Sequence, residues 1–213
     1  MTVQTQLDQS FYQVLSDRRS VRHYDNTAKM TEAEITEILE IAAKAPSSSN
    51  MQPWRFLVVT DEELKQQLLP ISNNQQQVVD AAAVIVVLGD LEMYKNAEKI
   101  YGSMAEAGLM TKEMSESFAA NSQKLYTSIP KERLHEVTVF DAGLVSMQIM
   151  QVAKAKGYDT VPMGGYDRDK VRALLNIPER YALNILLPIG KASKTGHPST
   201  RLPINDIAFF NKM

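Results

Sequence analysis

Three polar clusters, well separated along the chain, hold the side chains best suited to chemistry. The first is Arg18-Arg19-Ser20-Val21-Arg22. Guanidinium groups grip phosphate bidentately, and a neighbouring serine hydroxyl can donate to a phosphate or carbonyl oxygen. Alone, such a run reads first as a solvated basic turn after a helix, and decides nothing. The second is Ala45-Pro46-Ser47-Ser48-Ser49-Asn50-Met51-Gln52-Pro53-Trp54, in which a helix stop is followed by four small polar side chains. These can donate to and accept from the edge of a heteroaromatic ring, or simply form a connecting loop whose tryptophan packs in the core. The third is Pro162-Met163-Gly164-Gly165-Tyr166-Asp167. Two glycines let a backbone come close to a ligand and expose N–H donors, although paired glycines also mark ordinary tight turns.

Several other chemistries are excluded. The chain has no cysteine, so disulfides, thiolate metal sites and cysteine nucleophiles are all removed. No G-x-G-x-x-G follows a strand, and Gly190-Lys191-Ala192-Ser193 lacks what a phosphate loop needs. His23, His135 and His197 are scattered, with no partner at metal-ligand spacing, so no metal is expected and a hydrolytic triad is unsupported. The 23 basic residues are balanced by 25 acidic ones, giving a net charge of -2 and no field to draw nucleic acid or an anionic membrane. A small ligand suits this balance better.

The elements that must position these clusters are legible from periodicity. Gln9 to Asp17 places Phe11, Val14 and Leu15 at helical spacing and delivers the arginines at its end. Thr31-Glu32-Ala33-Glu34 is a capping-box pattern opening an amphipathic helix to about Lys44, which Pro46 stops. Arg55–Thr60 reads as a strand and Asp61-Glu62-Glu63 as the start of another helix. The apolar run Ala81–Leu88 is far shorter than the roughly 20 residues of a membrane span and reads as a buried strand. Residues from about Leu91 to Thr127 are polar and Met-rich and read as a helical excursion, assigned to about 91–128 of a single domain covering 1–213. Arg133–Lys156 is a long helix, apolar nearly all round at Ala142–Met150, as expected of a helix also packed against a partner subunit. Leu183–Gly190 is a late strand. The first fifteen residues carry no basic patch and no apolar run of signal-peptide length, so a cytoplasmic location is expected.

Taken in order, R-R-S-V-R-x-Y, A-P-S-S-x-N-x-Q-P-W, Asp80-Ala81 before a buried strand, G-Y-D-T-x-P-x-G-G-Y-D, and I-G-K-A followed by R-L-P span nearly the whole chain. In this order and spacing the sequence resembles the nitroreductase family of flavin mononucleotide (FMN) enzymes. The resemblance implies an α+β fold, a three-layer α-β-α sandwich with a central, mostly antiparallel sheet in an intertwined homodimer holding two FMN molecules. It further implies that Arg18, Arg19, Ser20 and Arg22 meet the flavin phosphate, ribityl chain and pyrimidine edge, with Arg201 closing on the phosphate. Pro46, Ser47, Ser48, Ser49 and Asn50 would reach the same flavin from the other subunit, and Asn74 would bond the pyrimidine edge. Pro162, Gly164 and Gly165 would lie along the isoalloxazine, with the Gly164 N–H toward N5. Ser199 stands where many relatives place a lysine.

The implied activity is two-electron transfer from NADH or NADPH through FMN to a small-molecule acceptor such as a nitroaromatic or quinone, by ping-pong kinetics. No side-chain acid or base is assigned; Arg22 and the Gly164 N–H would support chemistry that belongs to the flavin. Two alternatives remain open: a dehalogenating or other flavin-modifying member of the superfamily, and a non-catalytic FMN-binding protein. Tyr94, Tyr101, Met104, Met110, Met114 and Phe118 could roof a planar acceptor or form an ordinary amphipathic surface.

Overall fold

A computed structural model describes residues 11–212. Gln9 and Ser10 of the expected opening helix therefore lie outside the described residues. In chain order the elements begin with α1 (Phe11–Asp17), α2 (Glu32–Ala42), β1 (Trp54–Val59), α3 (Glu62–Ile71), α4 (Gln77–Asp80) and β2 (Ala83–Asp90). They continue with α5 (Ala97–Glu106), α6 (Lys112–Ser128), α7 (Lys131–Ala155), β3 (Asp159–Thr160), α8 (Arg168–Leu174), β4 (Tyr181–Gly190) and α9 (Ile204–Ile207). The strands form one sheet in the order β1-β2-β4-β3, with every neighbouring pair antiparallel.

Strand β2 explains the layering. It is buried along its whole length, and its alternation sends Ala83, Ile85 and Val87 to one face and Val84, Val86 and Leu88 to the other. The first set packs with Ile35 and Ile38 of α2 and with Val145 and Ile149 of α7. The second packs with Leu68 of α3 and Val171 of α8. Helices thus cover both sides of the sheet. At Gly89 an added Cβ would lie 2.6 Å from Thr138 Cβ, so glycine is what lets α7 sit this close to the sheet.

The expected capping box is present: the Thr31 hydroxyl accepts from the Glu34 N–H, and the Glu34 carboxylate accepts from the Thr31 N–H. Helix α2 ends at Ala42, two residues before the expected stop, because Pro46 disfavours helical backbone at the residue before it and the chain turns over residues 43–45. Strand β2 is displaced two residues from the expected run. The Ala81 carbonyl is taken by the buried Lys65 ammonium (2.7 Å), and at the other end Asp90 remains in the strand because arginines neutralise it. The segment between β2 and α7 is largely helical, and Met93, Ala97, Tyr101, Ala119 and Tyr126 form its core together with Met51 and Leu134. Among the described residues no helix is long and apolar enough to cross a membrane.

Candidate functional site

The arginine segment is laid along the edge of the sheet by main-chain bonds. Ser20 forms a parallel bridge with Thr160, whose carbonyl accepts from the Val21 N–H (3.1 Å). Further on, Tyr24 bridges Ala192, the Asp25 N–H donates to Lys191 O (2.9 Å) and the Ser193 N–H donates to His23 O (2.9 Å). The tail leaving β4 is thereby strapped against the segment. At Gly196 a Cβ would stand 2.6 Å from Arg19 Cβ and 3.0 Å from Ser20 O, so only glycine allows that passage. Tyr24 anchors the arrangement from below: its hydroxyl donates to Pro188 O (3.1 Å), and burial raises its pKa.

Among the described residues the guanidinium groups have no acidic partners: no carboxylate lies within ion-pair distance of Arg18, Arg19, Arg22 or Arg201. Arg19 donates to the Ser16 and Arg18 carbonyls, and Arg22 makes only a 3.5 Å contact with Ser20 O. The Arg18 Nε is buried and has no hydrogen-bond partner among the described residues. An unsatisfied buried donor on a charged group costs about 1–3 kcal/mol or more, which an oxyanion would relieve.

The glycine cluster continues along the same edge. Met163 exchanges both main-chain hydrogen bonds with Leu186 (2.8 and 3.1 Å), a bridge three residues beyond the one at Thr160, which sets Pro162 and Gly164 beside β4. Gly164 and Gly165 are exposed, and nothing lies within 4 Å of an added Cβ at Gly164. The Gly165 carbonyl accepts from Asn73 Nδ2 (3.1 Å) and Gln75 Nε2 (3.0 Å). These two side chains flank Asn74, which is exposed and held at φ 53°. The arginine segment, the glycine cluster and Asn74 therefore come together.

The serine cluster does not join them within one chain. The buried carboxylate of Asp141 on α7 accepts three contacts from Ser48: the N–H to both oxygens (3.1 Å each) and the hydroxyl to Oδ1 (3.0 Å). Burial raises the Asp141 pKa against the lowering effect of those bonds. Tyr101 of α5 donates to Ser49 O (2.8 Å), Tyr126 of α6 donates to Ser49 Oγ (3.0 Å), and the Gln52 N–H donates to Ser47 Oγ (3.0 Å). Ser49, Asn50 and Gln52 have φ of 49°, 55° and 47°. Such left-handed backbone costs on the order of 1 kcal/mol or more per residue outside glycine and persists only where surroundings enforce it.

Helix α7 measures the separation. Asp141 holds the serine loop, while the glycine at the far end of the helix, Gly157, accepts from Lys191 Nζ (2.8 Å) and leads into the Thr160 bridge. From Asp141 to the helix end at Ala155 is about 20 Å at 1.5 Å rise per residue. Arg201 also stands apart, on an exposed tail, donating to Ser199 Oγ (2.8 Å) and Thr200 O (2.8 Å).

Sequence reasoning missed the supports: Asp141, Tyr101, Tyr126, Asn73 and Gln75. Asp141 did carry a signal, as an acid at the edge of the apolar stretch of a long helix. Tyr101 was marked only as one of the aromatic and Met residues that could roof an acceptor, and Tyr126, Asn73 and Gln75 had no pattern to mark them.

The chain is similar to known proteins over most of its length. A family model described as "Nitroreductase family" matches residues 15–191. YdgI of Bacillus subtilis (strain 168), named as a candidate NAD(P)H nitroreductase, is 43% identical over 93% of this chain and 96% of its own. A candidate nitroreductase of Exiguobacterium sibiricum, solved in complex with FMN, is 46% identical, covers 97% of this chain and 99% of its own, and superposes with a TM-score of 0.92. A candidate NAD(P)H:FMN oxidoreductase from Staphylococcus epidermidis is 36% identical, with 99% of both chains covered and a TM-score of 0.93.

Proposed function

Given that this chain belongs to the nitroreductase family, we propose that it is an FMN-dependent oxidoreductase acting as a homodimer in the cytoplasm. NADH or NADPH would be its electron donor, and small acceptors of the nitroaromatic or quinone class would take the electrons. The observation that carries this reading is the set of arginines held on the sheet edge with no carboxylate partner among the described residues, beside an open glycine backbone. The Arg18 Nε fits a bound phosphate because it is buried and otherwise unsatisfied. The solved relative in complex with FMN supports the same assignment.

When bound, FMN would supply two-electron transfer at its N5 atom, accepting a hydride from the nicotinamide and returning it to an acceptor. The protein's residues would bind and polarise. Arg18, Arg19 and Ser20 would hold the phosphate and ribityl chain, and Arg201 would swing from its exposed tail to close on the phosphate. Arg22 would offset negative charge developing at the pyrimidine edge, whose polar atoms Asn74 would bond. Pro162 and Gly165 would line the ring, and the exposed Gly164 N–H would donate toward N5. Pro46, Ser47, Ser48, Ser49 and Asn50 would come from a second copy, since α7 keeps them about 20 Å from the arginine end of their own chain. Exposed apolar side chains at Phe11, Tyr12, Val139, Phe140 and Phe210 offer the surface such a dimer would cover.

The test is a visible spectrum of the purified, FMN-reconstituted protein. Its flavin bands should bleach on addition of NADH or NADPH in the absence of oxygen and return with menadione or a nitrofuran. A protein that stays colourless after FMN is supplied refutes the reading, and one that is yellow but cannot be bleached is a binder, not an enzyme. Donor and acceptor sharing one site should give parallel double-reciprocal lines, which intersecting lines would contradict.

A further inference from the structure

Ser48 and Ser49 are held from three directions by groups to which the proposed reaction assigns no role. Asp141 is fully buried, with no cation within ion-pair distance among the described residues, and the hydrogen bonds it accepts all come from Ser48. A lone buried carboxylate is a costly way to fill space, and an apolar side chain would serve a core better. What it does provide is direction. An ionised carboxylate only accepts, so the Ser48 hydroxyl must spend its proton on Asp141 and can offer a ligand only lone pairs. Ser49 is set the opposite way. Its Oγ accepts from the Tyr126 hydroxyl (3.0 Å), which leaves its own proton free to donate. The Tyr101 hydroxyl, donating to Ser49 O, receives its second bond from Ser122 Oγ (3.2 Å), so this tyrosine is satisfied without drawing on either serine side chain.

We infer that Asp141 and Tyr126 are positioning residues for the cofactor: they lock the Ser48–Asn50 turn in its left-handed form and fix Ser48 as an acceptor and Ser49 as a donor toward the flavin. This rests on the reading of the loop as one half of an FMN site. A ligand group meeting Ser48 must then bring a proton, as a ribityl hydroxyl or a ring N–H does, and one meeting Ser49 must bring a lone pair, as a carbonyl or phosphate oxygen does. Three successive features serve that end: φ of 49° at Ser49, φ of 55° at Asn50, and the Ser47 hydroxyl closing back on the Gln52 N–H.

The experiment is fluorescence titration of FMN into the flavin-stripped full-length protein, run beside thermal melting of the same apoprotein. Asp141→Asn offers one acceptor where two were used and adds a donor, and it should weaken FMN about tenfold, the scale of one charge-assisted bond. Tyr126→Phe, which removes one oxygen, should weaken it about threefold, roughly half that effect in free-energy terms. In a Ser49→Ala background the tyrosine change should add nothing further, because its action runs through Ser49. Flavin affinity equal to wild type in both single variants overturns the inference, as does a fall in apoprotein melting temperature with affinity unchanged. If Asp141→Asn does not fold, Tyr126→Phe and its cycle decide alone. A wild-type protein that takes up no FMN removes the site reading itself, whereas tight wild-type binding with indifferent variants removes only the positioning role.

Discussion

Two groups of arginines lie in this molecule, and they are treated oppositely. Arg55 and Arg180 converge on the buried Asp90, with contacts of 3.0 Å from Arg55 and 2.7 Å from two nitrogens of Arg180, while the Glu92 N–H donates to the same carboxylate (2.9 Å). Arg18, Arg19, Arg22 and Arg201 face no carboxylate among the described residues, and one of their nitrogens is buried without a partner. The first group finishes a strand end, since β2 could not keep Asp90 fully buried without it. The second is complete only when something anionic arrives. Arginine count says nothing about which role a cluster plays; the presence or absence of an internal acid does.

The largest effect should come from separating the two halves of the proposed site. A chain carrying Arg18→Ala with Arg22→Ala, and a chain with its serine loop disrupted by Ser48→Pro, should each bind FMN at least about 100-fold more weakly, given 1.5–3 kcal/mol per charge-assisted bond. Co-expressed and randomly paired, they should recover about a quarter of the wild-type flavin content, because only mixed dimers contain one intact site. Flavin content in the mixture no higher than in either parent would mean that each chain builds its site alone. The arginine variant should meanwhile melt near the wild-type temperature, as its lost groups support no internal acid.

Asp90→Asn reverses that pattern. It strands two arginines beside a neutral side chain, and breaking a buried pair costs about 3–5 kcal/mol, reduced to about 2–4 because Arg55 and Arg180 are 37% and 35% exposed. A denaturant midpoint should register this loss while FMN affinity, measured where the variant is folded, stays within about twofold of wild type. If flavin binding falls in step with stability, the two arginine groups are not separate devices.

Much of the fold was legible in the sequence, and the remainder was not for reasons that can be named. The capping box at Thr31, the buried run of β2 and the long helix α7 announce themselves through local spacing, which is where short-range preferences and the final packing agree. The two-residue strand β3 has no period to detect, yet it carries the bridge on which the arginine segment rests. The ion cluster at Asp90 joins residues 35 and 90 positions away, and the Asp141 hold on Ser48 joins residues 93 apart. Pairings of that range are decided by the sheet order and by where α7 crosses it, not by any motif. The arginine and serine clusters were visible as chemistry, but their separation by about 20 Å along α7, from Asp141 at mid-helix to the end at Ala155, was not.

The smallest effect concerns how the arginine end satisfies its own acids. Glu34 is bonded not by an arginine but by neutral donors, the Tyr158 hydroxyl (2.6 Å) and the Thr31 main chain and hydroxyl, and its pKa is lowered to about 2, chiefly by Tyr158. The Tyr158 ring in turn lies 4.0 Å from Lys191 Nζ, and its hydroxyl is pushed up to about 12 by burial and then by Glu34. The signs follow from which form the fold favours. A depressed carboxylate stabilises the fold above its unfolded value of 4.5, and that contribution fades as pH falls toward about 2. A raised phenol stabilises below its unfolded value of 10, and that contribution fades as pH rises toward about 12. In Tyr158→Phe the alkaline decline between 10 and 12 should therefore shrink and the acid decline between 4.5 and 2 should become shallower, keeping only the share due to Thr31. At neutral pH the loss should be about 1 kcal/mol, one hydrogen bond, with flavin affinity unmoved. Unchanged slopes in both windows would mean that Glu34 draws its stabilisation from charge, and that the arginine end is not kept free by neutral partners.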